Sequence, residues 1–542
     1  MNYRNRVLGA AALCVAALAV RGSAAPATSP LTPALANPAG LEFTLKLSSS
    51  KMSFMQGETI PVVLAFSNTG PQTLWLSQFY QSRSFEVEPK EGVTNPLGDL
   101  PASTAISIAG YVPPPIRLGE KPTEERFSLN EYLRFDRPGT YTIRATTSSV
   151  FALPEGVVPP QISLFPLGKP FISTSEPVSL RIVPADPKWQ AEQVQAWRAF
   201  WAKQKADFVR LGGRTALDTV RPANDLRFLN TRAAAQAIID RLGQDEFPRS
   251  SGSEAYFWRS GLIGFSDRPW LIEAMKSAMK RPDYPVTQGF LDNLATLETL
   301  QAAAMGIKQQ PANFFAPSSL AADEEGWNLA LASLDPKKGR ARAMTVHSLL
   351  ESAWYSPLQK VPGVQKRLPL LVAQVADIFD DLPPTAQQNL LDIYGHSNEW
   401  ERIKSPRMAA PLRQLWNTTP VASNGNDSYH YFPNAILSHL YEVDPQTGRA
   451  LILKEMAAPH PRVSFEVLAL LPDKRLPELQ NLWLSHLNQD GEDQDIAAQL
   501  IGRYATEAIK PQIQEEYAKR QREHRFLIPA DRALERYLAR VK

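Results

Sequence analysis

The residues best suited to acid–base or metal chemistry are seven histidines, and all lie beyond position 340: His347, His396, His430, His439, His460, His486 and His524. His396 and Glu399 stand at i, i+3, a spacing that can bring an imidazole and a carboxylate onto one metal ion. Carboxylates cluster at Asp377, Asp380 and Asp381 and again at Asp490, Glu492, Asp493 and Asp495, chemistry that would suit calcium. Neither cluster has the glycine and terminal glutamate of an EF-hand loop. Isolated groups of this kind are also ordinary on solvated helix faces and caps, so no metal site is assigned. Nucleophile and cofactor motifs fail as well. There is no G-x-S-x-G elbow, P-loop, dinucleotide-binding glycine fingerprint or H-E-x-x-H. No catalytic residue and no cofactor are assigned, although constellations assembled in space leave no such motif.

One stretch is suited to binding. Residues 417–434 interrupt the helical pattern with Thr418-Thr419-Pro420 and Asn424-Gly425-Asn426-Asp427, then end in Tyr429-His430-Tyr431-Phe432. Trp400, Trp416 and Tyr441 are near in sequence. Long loops on a rigid scaffold commonly carry function. Aromatics recruit sugars, peptides and partner proteins. Tyr429, His430, Tyr431 and Phe432 are therefore the candidate binding residues; the competing reading has these rings plugging the core between neighbouring helices.

The elements that must position such a loop are helices. Around residues 216–279, Leu226, Phe228 and Leu229 close one apolar helix, Asn230-Thr231 break it, and 233–242 carries a second. The layout recurs at 262–265, Ser266-Asp267 and 270–279, an offset of 36 residues. Short helices repeating at roughly 30–45 residues predict a helical solenoid. Later breaks at Asp444, Asp473 and Thr506 are 29 and 33 residues apart. That wandering period suits a degenerate HEAT-like array, and the fixed tetratricopeptide pattern is missing. Asp186-Pro187 marks its start, with Asp as N-cap and Pro in the first turn. Val194, Trp197 and Trp201 then share one helical face.

Before it, residues 41–185 read as all-β. Phe43, Leu45 and Leu47 alternate with polar residues, as do Ile60, Val62, Leu64 and Phe66, the pattern of half-buried strands. Leu74-Trp75-Leu76, Phe85-Glu86-Val87 and Val178, Leu180, Ile182 give further short strands. Asp136-Arg137-Pro138-Gly139-Thr140-Tyr141 places a tyrosine just after a turn, as in the tyrosine corner of immunoglobulin-like sandwiches. Segments 96–121 and 153–173 are rich in Pro and Gly and read as long loops.

The N-terminus reads as a secretory signal over 1–24. Arg4 and Arg6 precede an apolar run at 7–20, whose 14 residues fall short of the ~20 needed to span a bilayer. Gly22-Ser23-Ala24 would be the cleavage site. Residues 25–40, rich in Ala, Pro, Thr and Ser, read as a disordered linker. Cys14, the only cysteine, lies within the signal, so the exported chain would have neither disulfides nor thiolate chemistry. Cleavage would remove three arginines and no acid. The 58 basic residues would fall to 55, matching the 55 acidic ones. A neutral surface gives no reason to expect nucleic-acid binding, and no later stretch is apolar enough for a membrane span.

The layout as a whole, multidomain with an N-terminal all-β Ig-like sandwich (41–185) followed by an all-α HEAT-like helical repeat domain (186–542), resembles a group of secreted bacterial proteins, chiefly acidobacterial. The correspondence is carried by Ser179-Leu180-Arg181-Ile182-Val183-Pro184-Ala185-Asp186-Pro187-Lys188-Trp189-Gln190 and by Leu226-Arg227-Phe228-Leu229-Asn230-Thr231. That group has no assigned activity, so the resemblance implies no site residues. The leading expectation is a non-catalytic, exported (periplasmic or extracellular) scaffold that offers its helical surface to a protein or polysaccharide partner. One alternative is an (α/α)-toroid carbohydrate-active enzyme using paired carboxylates. Another is a proteinase-inhibitor-like module, because Ig-like domains with a similar second strand occur in such proteins.

Overall fold

The structure, a computed structural model, describes residues 36–77, 83–96, 114–153, 170–210, 220–243, 261–306, 320–391, 398–419, 431–458, 461–465, 467–471, 479–487, 492–522 and 529–541. A β-rich N-terminal region is followed by a helical one. Its strands are β1 (Leu41–Leu47), β2 (Ser53–Met55), β3 (Pro61–Asn68), β4 (Leu74–Leu76), β5 (Arg83–Glu88), β6 (Val93–Thr94), β7 (Ile116–Arg117), β8 (Thr123–Ser128), β9 (Arg134–Phe135), β10 (Gly139–Ala152), β11 (Pro170–Thr174) and β12 (Val178–Val183).

β1, β3 and β8 form one sheet in that order. A larger sheet runs β2-β12-β10-β4-β7, with β5 and β11 also paired to the long β10. Side chains from both sheets meet in one core, including Phe43, Leu64, Phe66, Leu76, Ile143 and Leu180. Phe43 and Phe66 face each other across the β1–β3 register and stack at 4.7 Å, the cross-strand aromatic pairing that pins a sheet. The expected alternation holds in β1 but not in β3, where Val63 and Ala65 are buried as well. β3 is the central strand of its sheet. Lys46, Thr44, Glu124 and Arg126 oppose those two residues across the ladders, positions from which long alkyl stems can cover a sheet face. Tyr141, 1% exposed, donates its hydroxyl to the Arg137 carbonyl at 2.8 Å, the bond anticipated for a tyrosine just after a turn. Asn37, inside the stretch expected to be a disordered linker, is instead tied to β11. Its amide donates to the Thr174 carbonyl at 3.0 Å and accepts from the Thr174 N–H at 2.9 Å, reproducing the pairing of an added strand residue.

The change from strand to helix falls where the sequence places it. Asp186 accepts from the Lys188 N–H at 2.9 Å, and Pro187 opens α1 (Pro187–Arg210), whose Val194, Trp197 and Trp201 are buried. α2 (Val220–Leu229) and α3 (Arg232–Leu242) follow. The chain divides into two compact units elsewhere, one of Met1–Ala235 and Tyr256–Ser266, the other of Gln236–Ala255 and Asp267–Lys542. Within the first, the Gly57 turn (φ +83°) lies against α2. A Cβ at Gly57 would come within 2.9 Å of the Leu229 Cα, so the close approach and the left-handed backbone both require glycine.

The described elements of the second unit are all helices. Helix Arg268–Met279 is capped by Asp267, which accepts from the Trp270 N–H, and Pro445–Met456 by Asp444, which accepts from the Thr447 N–H. The break at Asp335-Pro336 separates Leu320–Ala332 from Gly339–Tyr355; Asp473 lies outside the described residues. Trp327, Trp416, Trp483, Tyr284 and Tyr537 are fully buried, the aromatic ballast of a core built without cross-links. No described helix is long and apolar enough to cross a membrane.

Candidate functional site

Tyr429 and His430 lie outside the described residues, and so does the side chain of Tyr431. The described ends of 417–434 are helical: Asn417 and Thr418 close helix Ala409–Thr418, and Tyr431 opens helix Tyr431–Val443. Phe432 is half-buried in that first turn. The flanking aromatics are core. Trp400 stacks on His439 at 4.1 Å and donates to the Glu442 carboxylate at 2.5 Å. Trp416 lies under the Arg462 guanidinium at 3.7 Å, and Tyr441 is buried. The described histidines serve packing too. His439 bonds the Leu391 carbonyl at 2.7 Å, His486 stacks on Phe465 at 4.0 Å, and His347 is buried 3.7 Å from Glu351. His396 is outside the described residues. Among the described residues no three metal-ligating side chains converge.

A different concavity stands out in the helical unit. Helix Gly339–Tyr355 ends in Trp354-Tyr355, and Ser356 turns the chain by accepting from the Leu358 N–H at 3.1 Å. Helix Pro362–Val372 then runs past it with Pro369 in its interior. Proline has no N–H, so the carbonyl four residues back, that of Gln365, loses its helical donor. The short helix Glu399–Ile403 and the residues after it close the far side. Together they enclose a groove of about 690 Å³, within the 300–1,000 Å³ usual for ligand sites. Its floor is aliphatic, made by Ala353, Leu368, Pro369, Val372, Ala376 and Ile403. Its polar lining is Gln359, Gln365, Ser405, Arg402, Lys404 and Arg407, with no carboxylate among the described residues.

The three cations differ in their partners. Lys404 lies 3.1 Å from Glu401 and 3.4 Å from Glu442, and the hydrogen bond to Glu401 holds its ammonium above the usual lysine range. Arg407 pairs with Asp377 at 2.6 Å and donates to the Ala373 carbonyl at 2.7 Å. Arg402 is exposed and lies over both the Trp354 ring, at 5.1 Å, and the Tyr355 ring, at 5.5 Å. No acid among the described residues lies within ion-pair distance of it. The two rings stand at 80° to each other, so the guanidinium meets them as a cation beside their faces and not as a plate stacked flat on both.

The other unit holds a cavity of only about 20 Å³, between Met55, Ile60, Leu133, Phe135 and Phe228. That is room for about one water, a packing void between sheet and helix and not a site. The sequence gives little signal for the groove, because its residues come from three segments spread over more than fifty positions. The visible trace is a run of three cations around a proline, Arg402-Ile403-Lys404-Ser405-Pro406-Arg407, which reads as an ordinary polar connection.

No family model matches the chain, and no curated protein does. Among solved structures it is similar to the native conformation of the E. coli alpha-2-macroglobulin, at 11% identity and a TM-score of 0.15, over 93% of this chain and 26% of that one. A Salmonella alpha-2-macroglobulin mutant matches at the same identity and TM-score, over 93% of this chain and 27% of that one. The chain thus spans about a quarter of the length of either, and a likeness at that TM-score carries no inference about fold or activity.

Proposed function

We propose that this chain is an exported, non-catalytic binding protein, an Ig-like sandwich joined to a HEAT-like helical array that receives a protein or polysaccharide partner. The observation that supports it is the groove, which joins an aliphatic floor to a cationic, amide-bearing rim. Sites of that make-up bind by burying apolar surface and orient their ligand through a few polar groups. Among the described residues the lining has no carboxylate, whereas the glycosidase alternative calls for an acid pair. The loop residues Tyr429, His430, Tyr431 and Phe432 are the second candidate surface.

Affinity capture from the source organism's envelope tests the reading, with four baits: the unaltered protein, Arg402→Ala/Tyr355→Ala, Tyr429→Ala/Tyr431→Ala, and a distant surface control, Tyr517→Ala. A partner retained by the control and lost by the groove variant supports the groove. Loss with the Tyr429/Tyr431 variant alone moves the site to the loop. Identical capture by all four baits sinks both surfaces. N-terminal sequencing of the protein from its native host tests export: the expected first residue lies near Ala25, and an intact Met1 overturns it.

A further inference from the structure

Resting on the reading of the groove as the binding surface, we infer that its ligand is an acidic, internally placed peptide segment of a partner protein, in which carboxylate side chains flank an aliphatic one. Charge complementarity carries the argument. Among the described residues the lining holds three cations and no acid. The segment 353–376, which forms one wall, carries Lys360, Lys366 and Arg367 and again no acid. Lys404 and Arg407 share their charge with Glu401, Glu442 and Asp377, whereas Arg402 lies beside the Trp354 and Tyr355 rings and pairs with no acid among the described residues. A guanidinium beside two rings, with no acid partner among the described residues, can engage a carboxylate through its N–H fork.

The floor separates peptide from sugar. Sugars are usually held by flat aromatic faces offered to solvent. Here Trp354, the one aromatic in the described lining, is 5% exposed and has Arg402 beside it, and Tyr355, 46% exposed, is not part of that lining. Leu368, Val372 and Ala376, in contrast, make an aliphatic trough suited to a leucine-like side chain. The Gln365 carbonyl, deprived of its helical donor by Pro369, is an acceptor for a peptide N–H. Arg402, Lys360 and Lys366, which pair with no acid among the described residues and stand on the segments that form the groove, match several carboxylates along an extended chain better than a single terminal one.

The test is fluorescence anisotropy with the full-length exported protein and defined probes. The first is a labelled twelve-residue peptide of alternating glutamate pairs and leucines with an amidated C-terminus. The others are its lysine-for-glutamate and serine-for-leucine counterparts and labelled polygalacturonate. The glutamate–leucine peptide should bind at least tenfold tighter than either counterpart, and Arg402→Ala should weaken it about tenfold or more. Arg402→Lys keeps the charge but not the fork and should recover only part of the loss. Equal binding of the glutamate and lysine peptides overturns the inference, as does an affinity unchanged by Arg402→Ala. If polygalacturonate binds, is sensitive to Arg402→Ala and the peptide does not bind, the ligand class is wrong and the groove reading survives. If no probe responds to Arg402→Ala and groove variants also leave envelope capture unchanged, the groove reading fails with it. Circular dichroism of each variant must match the parent, and Tyr355→Ala serves as the second groove variant should Arg402→Ala fail to fold.

Discussion

Asn230 and Ser266 hold each other through two hydrogen bonds. The Asn230 amide donates to the Ser266 hydroxyl at 3.0 Å, and its carbonyl oxygen accepts from the Ser266 N–H at 2.9 Å. Asn230 adopts a left-handed backbone, φ +50°, at the break between α2 and α3, a conformation asparagine tolerates better than most residues. Ser266 directly precedes Asp267, the cap of helix Arg268–Met279. An amide side chain carries both a donor and an acceptor and so imitates one rung of backbone pairing between distant segments. The same device recurs in the helical unit: Asn434 donates to the Ser464 hydroxyl at 2.7 Å and accepts from the Ser464 N–H at 3.0 Å.

These two clamps should differ in strength, because Asn434 is 1% exposed and the Asn230 pair is solvated. Asn434→Ala removes a buried side chain and takes the partner from the half-buried Ser464 N–H, and should cost about 1–3 kcal/mol. Asn230→Gly keeps the left-handed backbone unstrained and removes only the bonds, for a cost of about 0.5–1.5 kcal/mol. Denaturant unfolding of each variant measures this, and an inverted order would show that the Asn434 clamp is not buried in solution.

Tyr141→Phe removes the hydroxyl that satisfies the Arg137 carbonyl. Because the phenol is buried, the cost should be about 1–3 kcal/mol, read as a lower unfolding midpoint. An unchanged midpoint would mean that water reaches that carbonyl and replaces the bond.

Gly448 lets two helices touch. A Cβ there would lie 2.4 Å from the Tyr441 Cα and 2.5 Å from its N. Backbone atoms cannot rotate away, so Gly448→Ala should destabilise the helical unit by about 2–3 kcal/mol. Gly363, also helical, has nothing within 4 Å of its would-be Cβ. Gly363→Ala should therefore be neutral or stabilising by up to about 1 kcal/mol. Opposite signs for the same substitution, in thermal unfolding, are the expected outcome.

What was legible in the sequence was what local pattern dictates. The alternation of Phe43 and Leu45, the turn before Tyr141 and the Asp186-Pro187 helix start are each encoded within a few residues. The 36-residue offset between Leu226 and Leu262 is also the separation of Asn230 and Ser266, which the two hydrogen bonds join; the spacing is legible in the sequence and the bond is not. Burial of Val63 and Ala65 was illegible because it depends on which strands flank β3, a non-local fact. The groove was illegible for the same reason: Trp354, Leu368 and Arg402 acquire meaning only once three helices place them together. Lysine is ordinarily a surface residue, so nothing in Asp335-Pro336-Lys337 announced a buried ammonium.

That ammonium supplies the last prediction. Lys337 is 1% exposed, and its Nζ donates to the carbonyls of Met279, Arg281 and Tyr284, each at 2.8 Å. It thereby caps the end of helix Arg268–Met279 and the turn beyond it. Burial pulls its pKa down to about 8, against ~10.4 for lysine in an unfolded chain. As pH rises through about 8, the folded protein releases this proton first, while the unfolded chain holds it until about 10.4. The unfolded state then binds more protons, so stability contributed by this site rises with pH across that window. The slope is at most about 1.4 kcal/mol per pH unit. Lys337→Met has no proton to release and leaves three carbonyls without a donor. Denaturant unfolding of both proteins from pH 7 to 10.5 should show a gap that is constant below pH 8 and widens above it in favour of the parent. A gap that stays constant throughout would mean that the three carbonyls hold the ammonium as firmly as water does, and that burial does not lower its pKa.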